Sequence, residues 1–300
     1  MSVVTFDELL DAGVHFGHLR RKWNPKMSPY IFSEKNGIHI INLHQTIEKL
    51  EEACAAAKQI AKSGKLILFV ATKKQARAII AEQAKRVGMP YVAERWPGGM
   101  LTNFATIRKA VKKMAGIEDL MNDKQFEALS KRERLQIQRE KDKLEKNLGS
   151  IADLQRLPSA VFIVDINKEH IAVDEARRLN LPTFAITDTN TNPELINFPI
   201  PANDDASKSI EVIVRNIADA VEEGLRERKV EKESRKDEEE AENADGNARI
   251  DDEEEDGEVS GREKRRKNGS EDGETRRDRR PRRTPHPQGG RPNGNKGPRK

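Results

Sequence analysis

The chain has 300 residues, enough for one or two domains, of which 35% are charged and only 4% aromatic. Its net charge of +4 conceals a division: residues 1–113 hold 19 Lys/Arg against 9 Asp/Glu, residues 114–228 hold 16 against 22, and residues 229–300 hold 20 of each, acidic as far as Gly261 and basic beyond. A single cysteine, Cys54, excludes a disulfide framework, and no run approaches the roughly 20 apolar residues that span a bilayer.

The start, Met1-Ser2-Val3-Val4-Thr5, has no basic region leading into an apolar core, so a cytoplasmic protein is expected, with no membrane partner. Thr5 to Leu10 reads as a short helix capped by Thr5 and Glu8 and ended by Gly13. Val14 to Phe32 follows as a basic arm. Arg20, Arg21, Lys22 and Lys26 fall within seven positions around Trp23, and Gly17, Pro25 and Pro29 speak against regular structure. Basic arms with aromatics suit RNA, whose phosphates attract charge and whose unstacked bases take flat partners. The plainer alternative is a solvated loop anchored by its aromatics. His15 and His18 are expected to be structural, since no cysteine or acidic cluster of ligand spacing lies near them.

Asn36-Gly37 between two β-rich runs predicts a hairpin. Ile47, Leu50, Cys54, Ala57 and Ala61 then recur at helical spacing up to Gly64. Lys65 to Ala71 is a continuous apolar run, the pattern of a strand buried on both faces, and Thr72 is expected to cap the next helix. This strand-turn-helix unit lacks both a G-x-G-x-x-G and a Walker sequence, so no nucleotide cofactor is predicted. Lys73 and Lys74 at that turn suit either an RNA phosphate or solvent.

Tyr91 to Ala93 leads into Arg95-Trp96-Pro97-Gly98-Gly99, a turn where an indole ring can be presented beside a guanidinium. After Phe104 the polar face of a helix carries Arg108, Lys109, Lys112 and Lys113 with no acidic residue among them, a stripe suited to a polyanion. Ser130 and Glu133 predict a capping box, and residues 104–157 read as an antiparallel helical hairpin inserted into an α/β pattern. That pattern resumes with strands at Ala160–Val164 and Thr183–Thr187, an edge strand at Phe198–Pro201, and a last helix to about Arg228. Asp165 and Asp188 at strand ends are expected to shape turns, with no catalytic partner. Residues 229–300, nearly free of apolar side chains, are predicted to be a disordered charged tail after a domain of residues 1–228.

These segments resemble the bacterial small-subunit ribosomal protein two family. The resemblance runs from about Thr5 to Arg228. It rests on Gly13-Val14-His15-Phe16-Gly17-His18, Trp23-Asn24-Pro25-Lys26-Met27, Asn36-Gly37-Ile38-His39, Arg95-Trp96, Gly98-Gly99-Met100-Leu101-Thr102-Asn103, Lys143-Leu144-Glu145-Lys146, Asp188-Thr189-Asn190 and Asn203-Asp204-Asp205-Ala206. Pro97, Ala71, Ala202 and Asn192 depart from the family's usual residues. The resemblance implies a flavodoxin-like, three-layer parallel sheet with a helical hairpin, and a place on the solvent side of the small subunit where head meets body. It implies contacts with 16S ribosomal RNA, docking of ribosomal protein one and no catalytic activity, and no cofactor, metal-site residue or small-molecule substrate is assigned from the sequence. Arg20, Arg21, Lys22, Trp23, Lys26, Arg95, Trp96, Arg108, Lys109, Lys112 and Lys113 are the expected contact residues. The alternative from another class is a nucleotide-binding α/β enzyme.

Overall fold

The computed structural model describes residues 4–254 apart from 124, 125, 127 and 128, with side chains through Arg235. One compact unit ends at Ala244 and a second begins at Asp245.

Helix α1 (Phe6–Asp11) starts at Thr5, whose hydroxyl accepts the Glu8 amide. A small antiparallel sheet follows, built from β1 (Phe16–Leu19), β2 (Ile31–Lys35) and β3 (Ile38–Ile41) in the order β1-β3-β2. The hairpin between β2 and β3 turns at Asn36 (φ 53°) and Gly37 (φ 75°), the paired left-handed conformations that Asn-Gly supplies. The arm is thus more regular than its glycine and prolines suggest. It contributes β1 and two short 3-10 turns, Arg20–Lys22 and Pro25–Tyr30. Pro25 stands at the start of the second turn, where the missing amide hydrogen costs nothing, and Met27 is fully buried beneath it.

The core is a five-stranded parallel sheet of β4 (Ile67–Val70), β5 (Tyr91–Val92), β6 (Ala160–Val164), β7 (Thr183–Thr187) and β8 (Phe198–Pro201), in the order β5-β4-β6-β7-β8. β8 lies at the edge, where its prolines leave no ladder donor unmet on the inner side. Side-chain alternation divides the core. Ile67, Phe69, Phe162, Phe184 and Ile200 pack with α2 (Leu43–Lys62), α3 (Lys74–Arg86) and α7 (Ser207–Glu254). Leu68, Val70, Val161, Ile163 and Ala185 face the opposite way, toward α6 (His170–Arg178) and the inner ends of α4 (Phe104–Asn122) and α5 (Lys131–Leu148). Ser130 and Glu133 form the capping box that opens α5. Lys113 pairs with Glu140, and Lys141 with Glu118 at 3.0 Å, holding α4 and α5 side by side.

α2 and α7 approach with almost no side chain between them. A Cβ on Gly224 would lie 2.4 Å from the Lys58 carbonyl oxygen and 3.1 Å from the Ala61 methyl, so only glycine fits. Along the same seam Lys58 pairs with Glu223 (2.9 Å) and Glu227 (2.7 Å), and Lys62 with Glu231 (2.6 Å). The last helix differs from its expected end. It runs on past Arg228 to Glu254, so residues 229–254 are helical. The reason lies in composition: Glu, Lys, Arg and Ala are strong helix formers, and the Lys62–Glu231 pair carries the packed helix beyond the core edge. The rest of the predicted tail, residues 255–300, including its basic end from Arg262, lies outside the described residues.

Candidate nucleic-acid interface

The basic arm is hung on the carboxyl end of β7. The Asn24 amide donates to the Thr189 carbonyl (2.8 Å) and the His18 amide to the Thr189 hydroxyl (2.8 Å). Asn203 donates from its side chain to Gly13 O (3.1 Å) and from its backbone to Val14 O (3.1 Å). At Gly17 a Cβ would stand 2.5 Å from the Thr189 methyl and 3.0 Å from His39 O, so the close approach requires glycine. This anchoring leaves Arg20, Arg21, Lys22, Trp23 and Lys26 exposed. Arg20 reaches Glu34 at 3.3 Å and Lys26 pairs with Glu194, whereas Arg21 makes no ion pair among the described residues. The Trp23 ring tilts against His39 with 5.2 Å between centroids and remains partly exposed.

The second predicted basic region divides more sharply. Arg95 is exposed and carries no ion pair among the described residues. Trp96 is not presented beside it, as the proline-glycine turn suggested. It is 6% exposed and packs in the core cluster with Met100, Leu101 and Ile107. Its partner is Glu175 on α6, itself 4% exposed. Glu175 Oε1 accepts the Trp96 indole N–H (3.1 Å) and the Gly99 amide (2.7 Å). Its Oε2 accepts the Leu101 amide (2.9 Å), the Thr102 amide (3.0 Å) and the Thr102 hydroxyl (3.1 Å). Burial alone would raise this carboxyl's pKa; the donors from Thr102, Leu101, Trp96 and Gly99 outweigh it and hold the group below its ordinary value.

On α4, Lys109 and Lys112 are exposed without an ion pair among the described residues, and Lys113 is exposed beside Glu140. Arg108 belongs to the packing instead. It is half-buried and donates from Nη1 to Leu154 O at 2.9 Å, joining α4 to the segment after α5. The stripe is therefore narrower than its sequence spacing implies, because the inward end of a long side chain found a backbone acceptor.

A polar centre occupies the carboxyl ends of β4, β6 and β7. Lys73 is not a free phosphate ligand. Its ammonium is 2.6 Å from Asp205, 2.8 Å from Asp204 and 3.4 Å from Asp165. Nor does the Thr72 side chain cap α3, since its hydroxyl and amide both donate to buried Glu169. Lys74 remains exposed. Asp165 does shape a turn, at φ 67° and accepting the Lys168 amide, and Asp188 accepts the Thr189 amide and hydroxyl. Both also join the ionic cluster. His18 Nδ1 lies 3.0 Å from Asp188 and Nε2 3.4 Å from Asp205.

Ligand atoms of His18, Asp188 and Asp204 all fall within 4.8 Å of one another. One Asp204 oxygen is buried without a hydrogen-bond partner among the described residues, and the other faces the Lys73 ammonium. Burial, reinforced by Asp188 and Asp165, pushes the Asp204 carboxyl up to about 7 against the pull of Lys73. The bond to Asp188 raises His18, while burial lowers His15. An NMR titration of the histidine ring protons should therefore show His18 titrating above 6.5 and His15 below it. The reverse order would mean that the His18–Asp188 contact does not persist in solution. A raised imidazole pKa stabilises the fold while the proton is held, and that contribution fades as pH climbs through the folded value.

Glu175, and the carboxylates that surround Lys73, were not legible in the sequence because their partners lie far away in the chain. One signal was available for Glu175: it interrupts the buried stripe of Ala172, Val173 and Ala176. A carboxylate on that face must find donors.

A family model described as "Ribosomal protein S2" matches residues 9–224. The "Small ribosomal subunit protein uS2" of Phocaeicola vulgatus is 66% identical over 232 residues, covering 77% of this chain and 83% of the relative. The proteins of that name from Parabacteroides distasonis (64%, covering 77% and 84%) and Porphyromonas gingivalis (65%, covering 77% and 83%) are similar to it to the same extent.

Proposed function

Because the chain belongs to the ribosomal protein S2 family, we propose that it is a structural constituent of the bacterial small ribosomal subunit in the cytoplasm, binding 16S ribosomal RNA and neighbouring ribosomal proteins. The family is one of ribosomal proteins, not of enzymes. The strand order β5-β4-β6-β7-β8 supports the flavodoxin-like reading of the sheet, and the pairing of α4 with α5 supports the inserted hairpin. In such sheets ligands enter at the switch point between the first and third strands. Here that place is filled by Lys73 with its three carboxylates and by Glu169 on the Thr72 amide, which argues against the nucleotide-enzyme alternative.

The observation that carries RNA binding is the exposed charge at Arg21, Arg95, Lys109 and Lys112, which has no ion-pair partner among the described residues, with Trp23 exposed in the arm. A second exposed surface has different chemistry. Phe6 (40% exposed), Leu10 (42%), Phe16 (48%) and Phe32 (75%) are apolar, which supports docking of a protein neighbour such as ribosomal protein one.

Affinity for a 16S rRNA transcript should fall steeply with salt. Each phosphate neutralised releases counterion, with a log–log slope of about −0.7 to −0.9 per contact. Alanine at Arg21, Lys109 or Lys112 should flatten that slope by about one contact each. A salt-independent affinity would refute the reading.

A further inference from the structure

We propose that Glu175 is a positioning residue for the RNA contact: from α6 it fixes the shape of the Arg95–Asn103 turn and thereby the direction in which Arg95 is presented. This rests on the reading of Arg95 as a contact residue.

Trp96, Met100 and Leu101 bury their side chains, but little else orients the turn's polar backbone. Gly98 has open space where a Cβ would stand, Gly99 has φ 83°, and Asn103 makes no side-chain cap on α4. Backbone bonds within it run from Met100 N to Pro97 O (3.2 Å) and Asn103 N to Gly99 O (2.8 Å). Three further amides, of Gly99, Leu101 and Thr102, all point at one carboxylate. Convergent amides of this kind form an anion-binding nest, and here the anion is a side chain of the protein itself. Both oxygens are engaged only as acceptors, two donors on one and three on the other. A carboxamide cannot replace this group, because its NH2 would face two or three donors with another donor. Aspartate is one methylene too short to reach across from α6. Arg95 adjoins Trp96, whose indole is the first of the five donors, so the direction of the Arg95 backbone follows from the clamp.

The full-length chain tests this in the form of wild type, Glu175→Gln, Arg95→Ala and the double variant. Each is measured for amide hydrogen exchange and for affinity to a 16S rRNA transcript at a temperature where all four are folded. Glu175→Gln should raise exchange at Gly99, Leu101 and Thr102 while the amides of β6 stay protected. It should also weaken RNA binding about tenfold, the scale of one lost charge-assisted hydrogen bond. The double variant should bind no worse than the weaker single one, since Glu175 acts through Arg95. Unchanged exchange in the turn overturns the proposal, and so do two losses that multiply. If Arg95→Ala alone binds as wild type does, the contact reading of Arg95 has failed and the positioning role falls with it. That outcome is recognised by its independence from the exchange data.

Discussion

Replacing Lys73 with methionine should cost the fold about 3–5 kcal/mol at pH 8, the usual consequence of removing one partner from a buried ionic cluster. Lys73 is 11% exposed and sits among Asp165, Asp204 and Asp205. Methionine fills much of the same volume, so the loss is electrostatic. Its pH dependence follows from Asp204, whose carboxyl burial pushes up to about 7 even with the lysine in place. Without that ammonium the folded-state value rises further. A carboxyl with a raised folded pKa stabilises the fold while protonated, and that contribution is lost as pH rises through the folded value. The variant should therefore lie closer to wild type at pH 5 than at pH 8 in urea denaturation. Lys74→Met, one residue away and exposed, should change little. Equal losses at both pH values would mean that the cluster is solvated rather than buried.

Two adjacent residues should behave in opposite ways. Trp96→Ala is expected to destabilise by about 3–5 kcal/mol, because a buried ring is removed from a packed core and Glu175 loses its indole donor. Arg95→Ala should stay within about 0.5 kcal/mol of wild type in stability while weakening RNA binding. Thermal unfolding and RNA titration on both variants separate the two roles. A Trp96→Ala protein as stable as wild type would place the ring outside the core in solution.

The pair also illustrates what the sequence carries. The strands were legible because burial on both faces leaves a continuous apolar run, as in Ile67 to Val70 and Ala160 to Val164. The Asn36-Gly37 hairpin and the Ser130–Glu133 capping box were legible because their chemistry is local. Trp96 was misplaced because proline and glycine report the turn but not what lies across from it. Glu175 comes from another βα unit, and nothing near Trp96 announces it. Lys73 was equally ambiguous, since a lysine at a helix start looks the same whether solvent or a carboxylate waits beyond it. β1 was missed because it is short and carries Gly17, a residue required by Thr189 and not by the strand itself. For the site, the exposed residues of the arm stood where their charge pattern put them, while Trp96 and Arg108 turned inward to partners the pattern does not contain.

The backbone contact between Gly224 and Lys58 has a consequence for the order of synthesis. α2 is among the first elements to leave the exit tunnel and α7 the last, yet they close the same layer over the sheet. Until Gly224 has emerged, the apolar stripe of α2 from Leu50 to Ala61 lacks its neighbour, and Ile67, Phe69 and Phe162 are covered on that side only in part. The basic arm waits as well, since Thr189 and Asn203, which hold it, are made more than halfway along the chain. Non-local closure of this kind delays folding until the distant segments meet. The cationic arm thus stays unanchored until Thr189 and Asn203 have been made, and takes its folded shape only after them.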